Sequence, residues 1–317
     1  MTDALHWQQR IGNQRDWVWR GWQTRYTYIR SQSQDTAPPL MLLHGFGASI
    51  GHWRHNLSAF SQHHPVYALD LLGFGASEKA IASYNVTLWI EQVHDFWQTF
   101  IHEPVVLIGN SIGSLVCLAA AAAYPDMVKG VVMLNLPDSS VLDTPKWVQL
   151  VMVALRPIAA AGKRVVTLPL IFNPLFKLLR SRAVVRAWAN QAYATPSGIT
   201  DELIEILSIP AYDRDASKAF RAMVNSPKAT HYTARSILPT LEMPLLLFWG
   251  QKDRFVPPNL AAYCVKLNSK LELVQVDNAG HCPHDERPEE VNHKILTWIN
   301  AWSTRPMSAH SSFTEIA

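Results

Sequence analysis

The sequence predicts an α/β fold: a mostly parallel sheet with helices on both faces and an inserted helical lid. Three observations carry that expectation. Apolar runs at 40–43, 66–71, 104–108, 128–136, 244–249 and 271–276 alternate with helix-like stretches, the spacing of a parallel sheet covered on both sides. One run passes through Gly109-Asn110-Ser111-Ile112-Gly113 straight into an alanine-rich helix former. The alternation stops between Pro137 and Pro239 and then resumes.

The bulk numbers agree. A length of 317 residues suits one large domain with an insertion. Composition is ordinary globular, at 48% hydrophobic and 17% charged. A net charge of +3 gives no footprint for nucleic acid. Three cysteines without metal spacing argue against a disulfide framework and fit a reducing compartment. Met1–Arg15 is polar and lacks the apolar core of a secretory signal. No apolar run reaches the roughly 18 residues of a spanning helix. A cytoplasmic location is expected.

Taken in order, Asp16–Trp22 and Thr24–Arg30 alternate and are rich in aromatic residues, which predicts an antiparallel hairpin at a sheet edge. Leu40–Leu43 is a buried strand leading into His44-Gly45-Phe46-Gly47. His52–Gln62 is expected as helix, Val66–Leu71 as strand and Thr87–Ile101 as an amphipathic helix. The strand before Ser111, its helix and the strand Val128–Leu136 follow. The core is expected over 1–136 and 240–302, the helical lid over 137–239, and a disordered tail over 303–317. After the lid come a strand at 244–249, a helix near Asn259–Lys266, the strand Leu271–Val276 and a helix near Glu289–Trp302.

Strand, sharp turn and helix with Gly-x-Ser-x-Gly at the turn form a nucleophile elbow. Gly109 and Gly113 remove side chains that would collide as the strand reverses. Ser111 is the expected nucleophile, and the N–H of Ile112 opens the helix toward an oxyanion. Gly47-Ala48-Ser49-Ile50-Gly51 also matches, but Ser49 lies inside a loop and reads as a loop or N-cap serine. The N–H of Phe46 can supply a second oxyanion donor. A serine needs a base and an acid to orient it, at the carboxyl ends of later strands. Asp253 and His281 stand there, in the chain order Ser, Asp, His. Asp138 is the rival acid; Asp277 reads as a cap, and Asp70 as a residue holding a loop near the site. No cofactor is expected, since glycines 45, 47 and 51 do not fit a dinucleotide fingerprint. No metal is expected either: His284 follows His281 by three residues, but no third ligand is near in sequence.

These strings resemble the α/β-hydrolases over nearly the whole chain, and are similar above all to the chlorophyll dephytylase and pheophytinase group of plants and cyanobacteria. The resemblance rests on 44–49 with His52-Trp53-Arg54, on 67–75, on 109–114 and on Gly280-His281-Cys282-Pro283-His284-Asp285. It implies hydrolysis of the phytyl ester of chlorophyll or pheophytin, giving the chlorophyllide or pheophorbide and phytol. The plant enzymes carry a transit peptide, for which the stretch before the fold leaves no room, so a cyanobacterial form, cytoplasmic or peripheral on the thylakoid membrane, is implied. Aspartate-nucleophile members such as haloalkane dehalogenases and epoxide hydrolases are excluded by Ser111. Carbon–carbon bond hydrolases and general carboxylesterases or lipases of the same fold are the enzyme alternatives, and a hydrolase-fold binding protein is the non-enzyme one.

The lid adds an expectation about partners. From Thr144 to Thr200 there is no Asp or Glu, against Lys146, Arg156, Lys163, Arg164, Lys177, Arg180, Arg182 and Arg186. Apolar, proline-broken segments such as 150–153 and 168–172 lie between those charges. Apolar faces with a basic rim predict contact with a membrane surface.

Overall fold

The computed structural model describes residues 6–33, 37–142, 161–226 and 231–303. The first two strands, β1 (Gln14–Trp19) and β2 (Trp22–Ile29), form the expected hairpin. Its turn, Arg20-Gly21, has φ of 51° and 88°. Positive φ at both positions gives the mirror-image turn that suits the twist of the strands it joins.

The remaining strands are β3 (Leu40–Leu43), β4 (Val66–Leu69), β5 (Val105–Asn110), β6 (Val128–Leu134), β7 (Leu245–Gly250) and β8 (Leu271–Val276). They pair in the order β1-β2-β4-β3-β5-β6-β7-β8. The β1–β2 and β2–β4 pairs are antiparallel and every later pair is parallel. All six residues of β5 are buried, as a strand covered on both faces requires. One face is covered by α1 (Val86–Phe100), α2 (Ile112–Ala123) and, after the insertion, the helix Leu260–Leu267. Leu107, Leu247, Val93, Phe96 and Val116 belong to that core. The other face is covered by the last helix, Pro288–Ser303, with Leu42, Val106, Ile108, Ile295 and Ile299 in its core. Each such buried aliphatic side chain contributes about 1.5–3 kcal/mol from area removed from water.

Register decides where the chemistry gathers. Leu43 pairs with Gly109, Asn110 with Leu134, Leu134 with Phe248, and Gly250 with Val276. The parallel strands therefore end together, and the loops beginning at 44, 111, 135, 251 and 277 meet at one edge of the sheet.

Between the adjacent strands β6 and β7 the described residues hold helices and turns. The longer helices are α3 (Pro169–Leu179), α4 (Arg182–Ala192), α5 (Asp201–Ser208) and α6 (Ala216–Asn225). They build small cores of their own. Phe172 and Phe176 cluster with Ala216, while Ala189, Tyr193, Leu203 and Ile204 cluster with Cys282 of the loop after β8. The expectations for Lys146, Arg156 and 150–153, and for the tail beyond Ser303, fall outside the described residues.

Several boundaries differ from the sequence reading by a residue or two, as where the strand expected to Leu136 ends at Leu134, and two differences have a visible cause. Instead of one helix over 52–62 there is a 3₁₀ turn at Ile50–Trp53 and a short helix at Leu57–Ser61. Asn56, between them, is buried and donates its amide to His284 O and Asn292 Oδ1, so a tertiary contact interrupts the helix. The strand expected to Leu71 ends at Leu69, because the carboxylate of Asp70 turns away to bind two loops.

Candidate active site

The turn after β5 is strained. Ser111 has φ 53° and ψ −121°, a conformation that costs a non-glycine residue about 1–3 kcal/mol. The surroundings impose it. Ser111 N–H donates to Leu134 O at 2.9 Å. Ser114 donates its hydroxyl to Gly109 O at 2.7 Å and accepts Leu134 N–H at 3.0 Å. A Cβ on Gly109 would come within 2.3 Å of Gly113 C, and one on Gly113 within 2.2 Å of Leu43 O. Backbone atoms cannot move aside as a flexible side chain can, so only glycine lets strand and helix approach this closely. Ile112 opens α2, where a first-turn N–H has no acceptor within the helix.

His281 and Asp253 meet across the ends of β7 and β8. His281 Nδ1 lies 2.8 Å from Asp253 Oδ2, in a buried pair. The same carboxylate accepts the Asn135 amide at 2.6 Å through Oδ2, and the N–H groups of Phe255 at 2.7 Å and Val256 at 3.0 Å through Oδ1. Burial alone would push the Asp253 pKa up. The hydrogen bond and charge of His281, the Val256 N–H and the Asn135 amide outweigh it and hold the carboxyl below its ordinary value. An ionised Asp253 favours the imidazole tautomer that carries its proton on Nδ1, the atom facing the carboxylate.

Asn135 was not singled out from the sequence. It follows β6 with φ 53°, is fully buried, and also donates to Gly280 O at 3.2 Å. Asn110 acts similarly, donating to His281 O at 3.0 Å. An Asn directly after a strand, in a backbone conformation that Asn tolerates better than most residues, was the available signal.

The loop after β3 lies beside the elbow: a Cβ on Gly45 would come 3.3 Å from Ser111 Cβ. The ring of His44 braces this loop. Its Nε2 accepts Leu71 N–H at 3.1 Å, so Nδ1 carries the proton and donates to Gly45 O at 2.7 Å. Burial lowers the His44 pKa, which favours the neutral ring. Asp70 accepts Ile50 N–H and Ala76 N–H, each at 2.7 Å, and so ties together the loops at 45–49 and 73–77, which share the string Gly-Phe-Gly-Ala-Ser. These contacts hold the backbone at Phe46, whose ring packs edge-on to Phe74.

The rivals lie elsewhere. Asp138 accepts Ser140 N–H at 2.7 Å and also Ala234 N–H, the contacts of a cap. Ser49 precedes the 3₁₀ turn in extended backbone and makes no side-chain capping bond. His284 is fully buried with its ring 4.3 Å from that of Trp53 and 4.7 Å from that of His52. Burial holds its pKa well below the ordinary value, so it is neutral.

Ser111 and His281 both face a cavity of about 610 Å³. Its walls are mostly apolar, with Phe46, Phe74, Phe176, Trp188, Phe220, Met223 and Phe255 among them. The core contributes Phe46 and Ser111 to its lining, and α3, α4 and α6 contribute Phe176, Trp188 and Phe220.

A family model described as the alpha/beta hydrolase fold matches residues 38–288. The chain is 26% identical over 305 residues to the chloroplastic pheophytinase of Arabidopsis thaliana, a match covering 83% of this chain and 61% of that protein. The chain thus spans less than two thirds of that relative's length. It is 23% identical over 291 residues to epoxide hydrolase 4 of Mus musculus, covering 89% and 78% of the two chains. Among solved structures, a bacterial membrane phospholipase A superposes with a TM-score of 0.73 at 22% identity, over 94% of this chain and 89% of that one. At that identity the likeness speaks for the fold.

Proposed function

The chain belongs to the alpha/beta hydrolase fold family, and from that membership we propose that it is a serine hydrolase of hydrophobic carboxylic esters, with Ser111, His281 and Asp253 as its triad. The carrying observation is the 2.8 Å contact between His281 Nδ1 and Asp253 Oδ2, beside a cavity that also receives Ser111 from its strained turn. In this reading Ser111 Oγ attacks the ester carbonyl while His281 Nε2 takes its proton. The N–H groups of Ile112 and Phe46 stabilise the oxyanion, in the low-dielectric surroundings where such donors are worth most. His281 then protonates the leaving alcohol, and water admitted afterwards is activated by the same nitrogen to free the acid.

The substrate we propose is the phytyl ester of chlorophyll or pheophytin. An apolar, aromatic-lined cavity suits a long hydrocarbon alcohol and offers little to a small charged diketone. The similarity to the Arabidopsis pheophytinase adds support. The helices between β6 and β7 act as the lid over this cavity. An ester with such a tail resides in membranes or membrane proteins, so the reading carries a peripheral, thylakoid-side location with it.

Incubation with chlorophyll a and pheophytin a tests it. Wild-type protein should release a more water-soluble pigment and phytol. Ser111→Ala should release none while keeping its fold, since only a hydroxyl leaves a partly exposed turn; Ser49→Ala should retain activity. Cleavage of p-nitrophenyl esters with neither pigment touched would remove the pigment assignment and leave the hydrolase. Activity that survives Ser111→Ala and vanishes with Ser49→Ala would remove the triad.

A further inference from the structure

The helix α3 has an outer face that ordinary surface chemistry does not explain. A helix at a protein surface turns polar residues to water. Here Phe172 and Phe176 face inward against Phe220, and the outward positions are largely apolar as well, Asn173 and Lys177 being the polar ones. Leu170 is 88% exposed and Leu178 59% exposed, with Ile171 exposed between them. The helical stretch 161–166 just before it exposes Val165 and Val166, and the turn between the two exposes Leu168. Scattered exposed leucines are normal, but a contiguous run of this kind marks an interaction surface.

The charges around that run share one sign. Residues 161–200 contain no Asp or Glu. Lys163 and Arg164 stand before the helix and Lys177 within it, and among the described residues none of the three has a carboxylate partner. By contrast, Arg186 in the neighbouring helix is paired with Asp201. Apolar side chains beside unpaired cations complement a surface that is oily beneath and negative at its edge.

We propose that the segment from Lys163 to Leu178 docks on an anionic lipid bilayer, inserting its leucines among the acyl chains and setting its cations against the headgroups. The buried apolar area and the attraction to anionic lipid act together. Position gives the contact a use. The inner side of the same helix forms part of the cavity wall through Phe176 and Leu179, so a bilayer on its outer side lies one helix thickness from the cavity. The surface is inferred from exposure and charge alone; only its use in delivering an apolar ester rests on the proposed substrate.

The test is co-sedimentation of the full chain with two kinds of vesicle: phosphatidylcholine alone, and equal parts phosphatidylcholine and phosphatidylglycerol. Binding is expected to the mixed vesicles at low salt, to fall as salt screens the charges, and to be weak with phosphatidylcholine alone. Changing Lys163, Arg164 and Lys177 to Gln should lower affinity by roughly fivefold for each cation removed. Leu170→Ser with Leu178→Ser should weaken binding further at any salt. These side chains point away from Ser111, so turnover of a water-soluble p-nitrophenyl ester should stay at the wild-type level in both variants, which shows that they are folded. Wild-type protein left in the supernatant of the mixed vesicles at low salt would overturn the proposal. So would binding that neither variant changes, or self-association abolished by the leucine variant, which would make the face an interface between copies. Vesicle binding without pigment cleavage would leave the docking surface standing and remove the substrate assignment.

Discussion

At the scale of single residues, the choice between two acids rests on hydrogen bonding. Asp253 and Asp138 each follow a strand of the sheet. Asp253 reaches the imidazole of His281, whereas both oxygens of Asp138 are occupied by N–H groups of Ser140 and Ala234. Asp253→Asn should leave the fold intact and lower kcat by about 10⁴, because the amide favours the wrong imidazole tautomer. Asp138→Asn should keep kcat within a few-fold of wild type. Steady-state kinetics on a p-nitrophenyl ester decides the matter, and a larger loss in Asp138→Asn would move the acid to the end of β6. The competition itself was legible in the sequence. Its outcome depends on where Asn135 sends its amide, and no spacing rule discloses that.

At the scale of elements, the elbow is the most constrained part of the molecule. The strand β5 and the helix α2 approach so closely that a methyl group on Gly113 would meet the carbonyl oxygen of Leu43 at 2.2 Å. That oxygen belongs to β3, a fully buried strand paired on both sides. Gly113→Ala should therefore cost more than about 4 kcal/mol, in the range of overpacked buried sites that cannot relax. The expected result is loss of soluble protein, or a thermal midpoint lowered by about six degrees or more. A thermal melt of Gly113→Ala that overlays wild type would contradict the packing described for this turn. The elbow's local logic could be read from five residues, since strand former, glycines and helix former are contiguous. The identity of the obstructing atom could not, because Leu43 is far away in the chain.

At the scale of the whole molecule, one carboxylate joins the helical insertion to the loop of His281. Glu286 accepts Ala194 N–H at 2.6 Å, Gly280 N–H at 2.7 Å and, more weakly, Cys282 N–H at 3.4 Å. His281 N–H itself donates to Ala192 O at 2.7 Å. Insertion and core are thus sewn together next to the imidazole. Burial raises the Glu286 pKa from 4.5 to about 7; the three N–H donors act against that rise and the nearby Asp285 charge adds to it. The folded state therefore holds this proton more tightly than the unfolded chain. Stability from Glu286 is complete below the unfolded value of 4.5 and is lost as pH rises through about 7. Gln carries no such proton. The stability of wild type relative to Glu286→Gln should fall by about 1–2 kcal/mol across that window, a figure reduced for partial exposure. Urea unfolding at a series of pH values measures the difference, and parallel curves would show that the group titrates normally.

The α/β class, the strand–turn–helix run around Ser111 and the candidate triad were all readable from the sequence, because each depends on contiguous signals: periodicity, a glycine-framed turn, and an acid and a histidine directly after strands. The basic, acid-free character of 144–200 was readable for the same reason. Tertiary structure decided the rest. It set the pairing of β7 with β8 that carries Asp253 to His281. It also set the bracing of the Phe46 loop by His44 and Asp70, the clamp at Glu286, and the outward turn of Leu170 and Leu178. Those features are contacts between residues tens to hundreds of positions apart, and the free energy of such a contact exists only after the sheet has brought both partners to the same edge.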